Sequence, residues 1–251
     1  MEQAHFLFYA ELNDFLPPAK RQVWFTHRLK ERASIKDAIE SLGVPHPEVD
    51  LILVNGESVD FSYLVQQGDR ISVYPVSVSP DTNYLSHVRP QPLQQIRFVL
   101  DIHLGKLATY LRILGFDTLY QNNYHDEELA CISSREDRIL LTQDRGLLKR
   151  SIVIYGYCVR ESDPLRQVVE VLRRFKLFGA IAPLQRCVRC NGLLQPVSKD
   201  EIGDRLPPLT KQYYNDFSIC QACAQIYWKG AHSGRIQQLI DYIQQLPIAN
   251  C

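Results

Sequence analysis

Phe98-Val99-Leu100-Asp101, continued by Leu104-Gly105-Lys106-Leu107-Ala108, decides the fold of this chain, together with a second stretch built the same way. That second stretch is Ile139-Leu140-Leu141-Thr142-Gln143-Asp144, continued by Arg145-Gly146-Leu147-Leu148. Short runs of Val, Ile and Leu bounded by polar residues read as strands of a parallel sheet buried on both faces. Each run ends in an aspartate and passes into a helical pattern. In open α/β sheets, ligands lie outside the carboxyl ends of the strands. Two carboxylates placed there repel each other unless a cation lies between them. The pattern therefore predicts a Mg²⁺ or Mn²⁺ site serving phosphate chemistry. The plainer alternative is that Asp101 ends its strand and Asp144 caps the helix opening at Arg145.

Outward from these stretches the alternation continues. A helix face at Leu104, Leu107, Ala108, Leu111 and Leu114 closes at Gly115. Phe116–Tyr120 reads as a strand, 126–133 as a helix, 138–142 and 152–159 as strands, and 164–175 as a helix with Asp163 before Pro164 at its start. Repeated βα units of this length make a parallel sheet covered by helices. Asp126, opening the helix after the second strand, is the third candidate carboxylate. Glu127 and Glu128 are its rivals, and Asp137 is a weaker one. Thr142 is placed to orient a carboxylate or a water. Lys106, Arg112 and Arg145 are placed to hold a phosphate, while Lys106 and Arg112 fit a solvated helix face equally well.

Residues 1–76 read differently. Strands at 5–11 and 21–28 precede a helix opened by Ser34-Ile35-Lys36-Asp37 and stopped at Gly43. The strand Val49–Val54 meets the turn signal Asn55-Gly56, and Gly68-Asp69 leads into the strand at 70–74. The order ββαββ is that of a β-grasp domain. Leu53-Val54-Asn55-Gly56 and Gly68-Asp69-Arg70-Ile71-Ser72-Val73 resemble the corresponding phrases of ubiquitin-like sulfur carriers. Those carriers act through a free C-terminal Gly-Gly, whereas here the strand runs on into Tyr74-Pro75-Val76-Ser77, which excludes sulfur carriage. The module is read as one for scaffolding or protein binding. Residues 77–95, with scattered polar residues and prolines, read as a linker.

The zero net charge conceals an asymmetry. Residues 1–76 hold 7 Lys/Arg against 11 Asp/Glu, and residues 96–190 hold 15 against 11. A basic middle beside an acidic front suits one domain that meets a polyanion and another that does not. The 45% apolar content predicts a buried core. No run reaches the roughly 18 apolar residues of a membrane span, and the start lacks a signal-peptide pattern, so the expectation is a cytoplasmic protein without membrane contact.

Of seven cysteines, four stand in paired C-x-x-C spacing, Cys187/Cys190 and Cys220/Cys223. Two such knuckles supply four thiolates in the tetrahedral set of a structural zinc site, with no position left open for catalysis. A redox reading is disfavoured because neither pair opens a helix in a thioredoxin-like setting. The aromatic and basic residues between and after the pairs, Lys199, Arg205, Lys211, Tyr213, Tyr214 and Trp228, suit either base stacking or a ribbon core. Residues 235–246 read as an amphipathic helix docking back on the protein.

Asp101-Ile102-His103-Leu104-Gly105-Lys106-Leu107-Ala108, running on to Leu111-Arg112-Ile113-Leu114-Gly115-Phe116-Asp117, resembles the opening motif of the Mut-seven-C (mutator C-terminal) PIN-like ribonucleases, and 138–145 resembles their second motif. Gly43-Val44-Pro45-His46 and Val49 to Gly56 resemble the ubiquitin-like domain often fused ahead of that family. The resemblance implies a ubiquitin-like domain over 1–76, a PIN-like α/β/α nuclease over 96–180 and a zinc ribbon with a C-terminal helix over 181–251. It also implies metal-dependent, endonucleolytic RNA cleavage, with Asp101, Asp126 and Asp144 at the acidic positions. Thr109-Tyr110 and Gln143 depart from it where basic residues are expected. The reading from another class is a non-catalytic RNA-binding or ribosome-associated adaptor that uses the ribbon and the basic surface.

Overall fold

A computed structural model of the protein describes residues 3–29, 33–75, 86–88, 93–228 and 231–245. Most of the expected linker, and Leu246 at the end of the expected last helix, lie outside the described residues. The chain divides into two compact units, residues 1–103 with 123–159 and residues 104–122 with 160–251.

In the first unit, β1 (Gln3–Phe8), β2 (Phe25–Arg28), β3 (Val49–Val54), β4 (Glu57–Ser58) and β5 (Arg70–Pro75) form one sheet in the order β2-β1-β5-β3-β4. β1 and β5 run parallel at its centre and the other pairs are antiparallel, as in a β-grasp. Helix α1 (Ile35–Ser41) buries Ile35, Ala38 and Ile39. Its start is fixed by Ser34, whose hydroxyl accepts from Asp37 N at 3.1 Å. Asn55 and Gly56 take φ of +51° and +92°, the paired left-handed residues that a two-residue hairpin turn demands.

Two strand expectations run too long here. β1 stops at Phe8, and 10–15 form a 3-10 turn. The Asn13 amide donates to the carbonyls of Phe8 (2.8 Å) and Ala10 (3.0 Å), and Leu12, Phe15 and Leu16 reach the core at helical spacing. β2 is shortened by the turn at Gln22, whose N–H donates to Asn13 Oδ1 at 2.7 Å.

The same unit holds a parallel sheet of β6 (Phe98–Leu100), β8 (Ile139–Thr142) and β9 (Gly156–Cys158), in the order β6-β8-β9. Helix α3 (Asp126–Arg135) packs on β6 and β8, and α4 (Arg145–Leu148) follows β8 directly. All ten strand residues are buried, which explains why they are apolar but for Thr142 at the end of β8. The expected strand at 152–159 shrinks to three residues: only Gly156–Cys158 pair with Leu140–Thr142 of β8, and Ile152 and Ile154 are exposed.

The β-grasp packs on the outer strand of this sheet. Glu48, fully buried, accepts from Cys158 N at 2.6 Å, and His46 Nε2 donates to Val153 O at 2.7 Å. Lys149 Nζ donates to Glu40 O at 2.7 Å. Gly156 permits the approach: a Cβ there would lie 2.6 Å from Leu148 Cδ2 and 3.3 Å from Pro47 Cβ. Capping an outer strand in this way removes an open edge that could pair with other chains.

The second unit contains α2 (Gly105–Ile113), β7 (Thr118–Leu119), α5 (Pro164–Arg174), the antiparallel ribbon β10 (Leu194–Val197), β11 (Phe217–Cys220) and β12 (Ile226–Trp228), and α8 (Ala231–Gln245). Helix α5 opens as expected, with the Asp163 carboxylate accepting from Leu165 N and Arg166 N, both at 3.1 Å. Between β10 and β11 lie α6 (Lys199–Ile202), opened by a Ser198/Glu201 capping box, and α7 (Pro208–Tyr213). The small ribbon core is Ile202, Leu206, Phe217 and Ile226. Helix α8 buries Ile240 and Ile243.

Candidate active site and metal centre

The parallel ladder pairs Leu100 with Leu141, so the residues one step on, Asp101 and Thr142, stand side by side at the carboxyl edge of the sheet. Thr142 is fully buried and its hydroxyl donates to Asp101 Oδ2 at 2.6 Å. The same hydroxyl accepts from Asp144 N at 2.9 Å. One threonine thus ties the ends of β6 and β8 together and fixes the Asp101 carboxylate, itself only 7% exposed. Asp144 is exposed and caps α4, with Oδ1 accepting from Gly146 N at 2.6 Å. The plainer reading of Asp144 is therefore true, and it occupies only one of the two carboxylate oxygens.

Asp126 opens α3, exposed together with Glu127 and Glu128. Because α3 runs back along the sheet before β8 begins, its first turn lies toward the edge where β6 and β8 end. Asp137 sits in the turn between α3 and β8, with φ +49°, at the opposite edge, and is set aside as a rival. Among the described residues, hydrogen bonds engage one oxygen of Asp101 and one of Asp144 and leave the Asp126 side chain untouched. Acceptor oxygens thus remain on all three, and an all-oxygen donor set suits Mg²⁺ or Mn²⁺. The three aspartates do not draw their ligand atoms within 4.8 Å of one another; among the described residues only the four cysteines form a group that close.

The expected phosphate-binding cations part company. Arg145 is exposed, its guanidinium 4.9 Å from the centroid of the Phe15 ring. Lys106 is exposed in the first turn of α2. Arg112 is a correction. It is 5% exposed, and its guanidinium donates to Thr118 O (2.9 Å), Tyr120 O (3.4 Å), Val188 O (3.0 Å) and Arg189 O (3.3 Å). Four of its five N–H donors meet carbonyls, so it serves as a structural latch between α2 and the first cysteine knuckle rather than lying open to a phosphate.

Cys187, Cys190, Cys220 and Cys223 come together as the spacing predicts, with Sγ atoms 3.6 Å apart for Cys187/Cys223 and 3.4 Å for Cys190/Cys220. After each pair one residue adopts a left-handed conformation, Asn191 at φ +68° and Ala224 at +55°. This curls each knuckle so that backbone N–H groups face the sulfurs, as Ala222 N and Cys223 N do toward Cys220 Sγ. Gly192 allows the two knuckles to close, since a Cβ there would lie 2.8 Å from Cys220 Sγ. Burial pushes the Cys187 thiol up, but hydrogen bonds from the Tyr227 hydroxyl and from the knuckle outweigh it and bring it down to about 6. Burial and bonds to the other three thiols push Cys190 up to about 12. Four thiolates this close ionise together only around a cation, and the donor set fits zinc.

Sequence reasoning missed Asn191 and Asp117. Asn191 accepts from Thr118 N (2.9 Å) and donates to Asp117 Oδ1 (2.8 Å), while Arg186 pairs with Asp117 at 3.1 Å. These bonds and the Arg112 latch dock the ribbon on α2 and β7. Asn191-Gly192, directly after a C-x-x-C, was the available signal for a curled knuckle.

No helix among the described residues is long and apolar enough to cross a membrane. Compared with known proteins, residues 96–240 match the family model described as Mut7-C RNAse domain, and residues 1–81 match that described as Mut7-C ubiquitin. No curated protein and no solved structure matches the chain.

Proposed function

The chain belongs to the Mut7-C RNAse family, and from that premise we propose that it is a divalent-metal-dependent ribonuclease cutting RNA phosphodiester bonds internally. Asp101, Asp126 and Asp144 would hold Mg²⁺ or Mn²⁺ through the oxygens left open at the carboxyl edge of the parallel sheet. The observation that carries this reading is the Asp101–Thr142–Asp144 relay at 2.6 and 2.9 Å. It spends a buried hydroxyl on orienting a buried carboxylate at the edge where α/β folds bind ligands. When bound, the cation supplies an activated water and neutralises charge on the leaving oxygen.

The chain's own residues do the rest. Thr142 holds Asp101 in one orientation before any ligand arrives, so no reorganisation is required at the moment of reaction. The cap on Gly146 N fixes Asp144 in the same way while leaving Oδ2 for a ligand. Arg145 supplies positive charge for the phosphate backbone with a planar fork of donors. The cysteine site is structural, since thiolates fill every position of a tetrahedral ion.

RNA as substrate follows from the family, and protein binding by the ubiquitin-like domain is the corresponding expectation for the front of the chain. The test is cleavage of a labelled single-stranded RNA. Activity that needs Mg²⁺ or Mn²⁺ and disappears in Asp144→Asn supports the reading. RNA that is bound but never cut supports the adaptor instead.

A further inference from the structure

We propose that Phe15 of the ubiquitin-like domain is a positioning residue for Arg145, so that this domain forms part of the phosphate-holding side of the candidate site; the inference rests on the reading of Arg145 given above. Arg145 is the first residue of α4, directly after Asp144. Its guanidinium carbon lies 4.9 Å from the centroid of the Phe15 ring. Phe15 is 6% exposed and set in the 3-10 turn between buried Leu12 and Leu16, where Leu16 N donates to Asn13 O at 3.0 Å and Arg21 Nε donates to Leu16 O at 2.9 Å. The ring is therefore a fixed platform.

A guanidinium lying against an aromatic ring uses its face and none of its N–H groups. Among the described residues no hydrogen bond or ion pair engages the Arg145 guanidinium, while its backbone carbonyl accepts from Lys149 N at 3.2 Å. It thus stands beside Asp144 with its orientation set and its donors free, the state that loses least entropy on gripping a phosphate. The far end of α4 is tied to the same domain, because Lys149, its C-cap, donates to Glu40 O at 2.7 Å. His46 donates to Val153 O at 2.7 Å in the loop that follows. The β-grasp therefore grips the one-turn helix at both ends, and the helix carries a metal-site candidate at one of them.

The experiment uses the full-length protein and a single-stranded RNA oligonucleotide, with kcat and KM measured in Mn²⁺ and affinity by fluorescence anisotropy. Phe15→Leu retains bulk but removes the ring. We expect KM and Kd to rise about three- to tenfold, the cost of fixing one long side chain on binding, with kcat within twofold of wild type. Phe15→Tyr should restore both, and Phe15→Leu should add nothing in an Arg145→Ala background. Should Phe15→Leu fail to fold, Phe15→Met, equally ringless and more adaptable in packing, takes its place in the same assay. A threefold or larger rise in KM then sustains the proposal and an unchanged KM overturns it. An unchanged KM in folded Phe15→Leu, or effects of the two substitutions that simply multiply, also overturns it. A wild type that neither cuts nor binds RNA removes the ribonuclease reading and this proposal together. Cutting with an unaltered Phe15→Leu KM removes this proposal alone.

Discussion

Replacing Arg112 with methionine tests whether its guanidinium latches α2 to the first cysteine knuckle. Methionine keeps most of the apolar stem and removes the guanidinium. The native side chain donates to four carbonyls, two at good distances of 2.9 and 3.0 Å and two longer at 3.3 and 3.4 Å. A hydrogen bond to a charged group contributes about 1.5–3 kcal/mol. Counting the two shorter bonds at the low end gives about 3 kcal/mol, and the longer pair raises this toward 4 kcal/mol. For a protein of this size that corresponds to a fall in Tm of about 6–16 °C, at roughly 2–4 °C per kcal/mol. Two of the carbonyls belong to Val188 and Arg189, inside the first zinc knuckle, so transfer of zinc to a chromogenic chelator should also speed up. The assay is thermal unfolding followed by circular dichroism, alongside zinc release and RNA affinity. An unchanged Tm and zinc-release rate, combined with a several-fold loss of RNA affinity, would refute the latch and restore Arg112 as a phosphate ligand.

Gly192→Ala should weaken zinc binding tenfold or more in chelator competition, because its Cβ would meet Cys220 Sγ at 2.8 Å and Ala222 Cβ at 2.9 Å; wild-type affinity would show that the knuckles have room to spare. Glu48→Ala removes a fully buried acceptor from Cys158 N and should cost about 1–3 kcal/mol in denaturant unfolding. A smaller loss would mean that the β-grasp does not support the outer strand. Glu136 accepts from Arg138 and Arg135, which hold its carboxyl below the usual 4.5. A depressed carboxylate stabilises the fold above its unfolded value and loses that contribution as pH falls through the folded one. Glu136→Gln should therefore be less stable than wild type near pH 7, and the gap should close as pH falls below about 4.5; a gap independent of pH contradicts the ion pair.

How far the sequence could be read depended on what held each element in place. The β8 strand and the α4 start were legible because complete burial enforces an unbroken apolar run and because Asp-before-helix is a local signal. The four cysteines were legible because zinc demands both ligand type and spacing. Residues 9–11 misled because they follow a hydrophobic strand, and the Asn13 amide contacts that end it are made by a side chain. The span 152–159 misled because only Gly156–Cys158 find partners on β8, while Ile152 and Ile154 face out despite their β-branched side chains. Arg112 was illegible for the deeper reason that its partners Val188 and Arg189 lie more than seventy residues away. A buried arginine and a solvated one look alike until the tertiary fold shows which carbonyls surround it. The same holds for Phe15 and Arg145, which meet only once the β-grasp packs on the nuclease sheet.

The aspartates at the carboxyl edge, and not the four-cysteine site, are proposed to cut RNA. The most direct measurement is cleavage of an internally labelled single-stranded RNA by wild type and Asp144→Asn, with zinc content determined in parallel. Asparagine keeps the cap on Gly146 N, since Asn and Asp are equivalent caps, so the variant loses charge without losing the helix. Brief EDTA treatment should stop wild-type cleavage while zinc remains bound, and Mn²⁺ or Mg²⁺ should restore it. Asp144→Asn should be folded, retain zinc and bind RNA, yet not cut under any of these conditions. Cleavage that persists in EDTA, survives in Asp144→Asn, or follows zinc content alone would contradict that proposal.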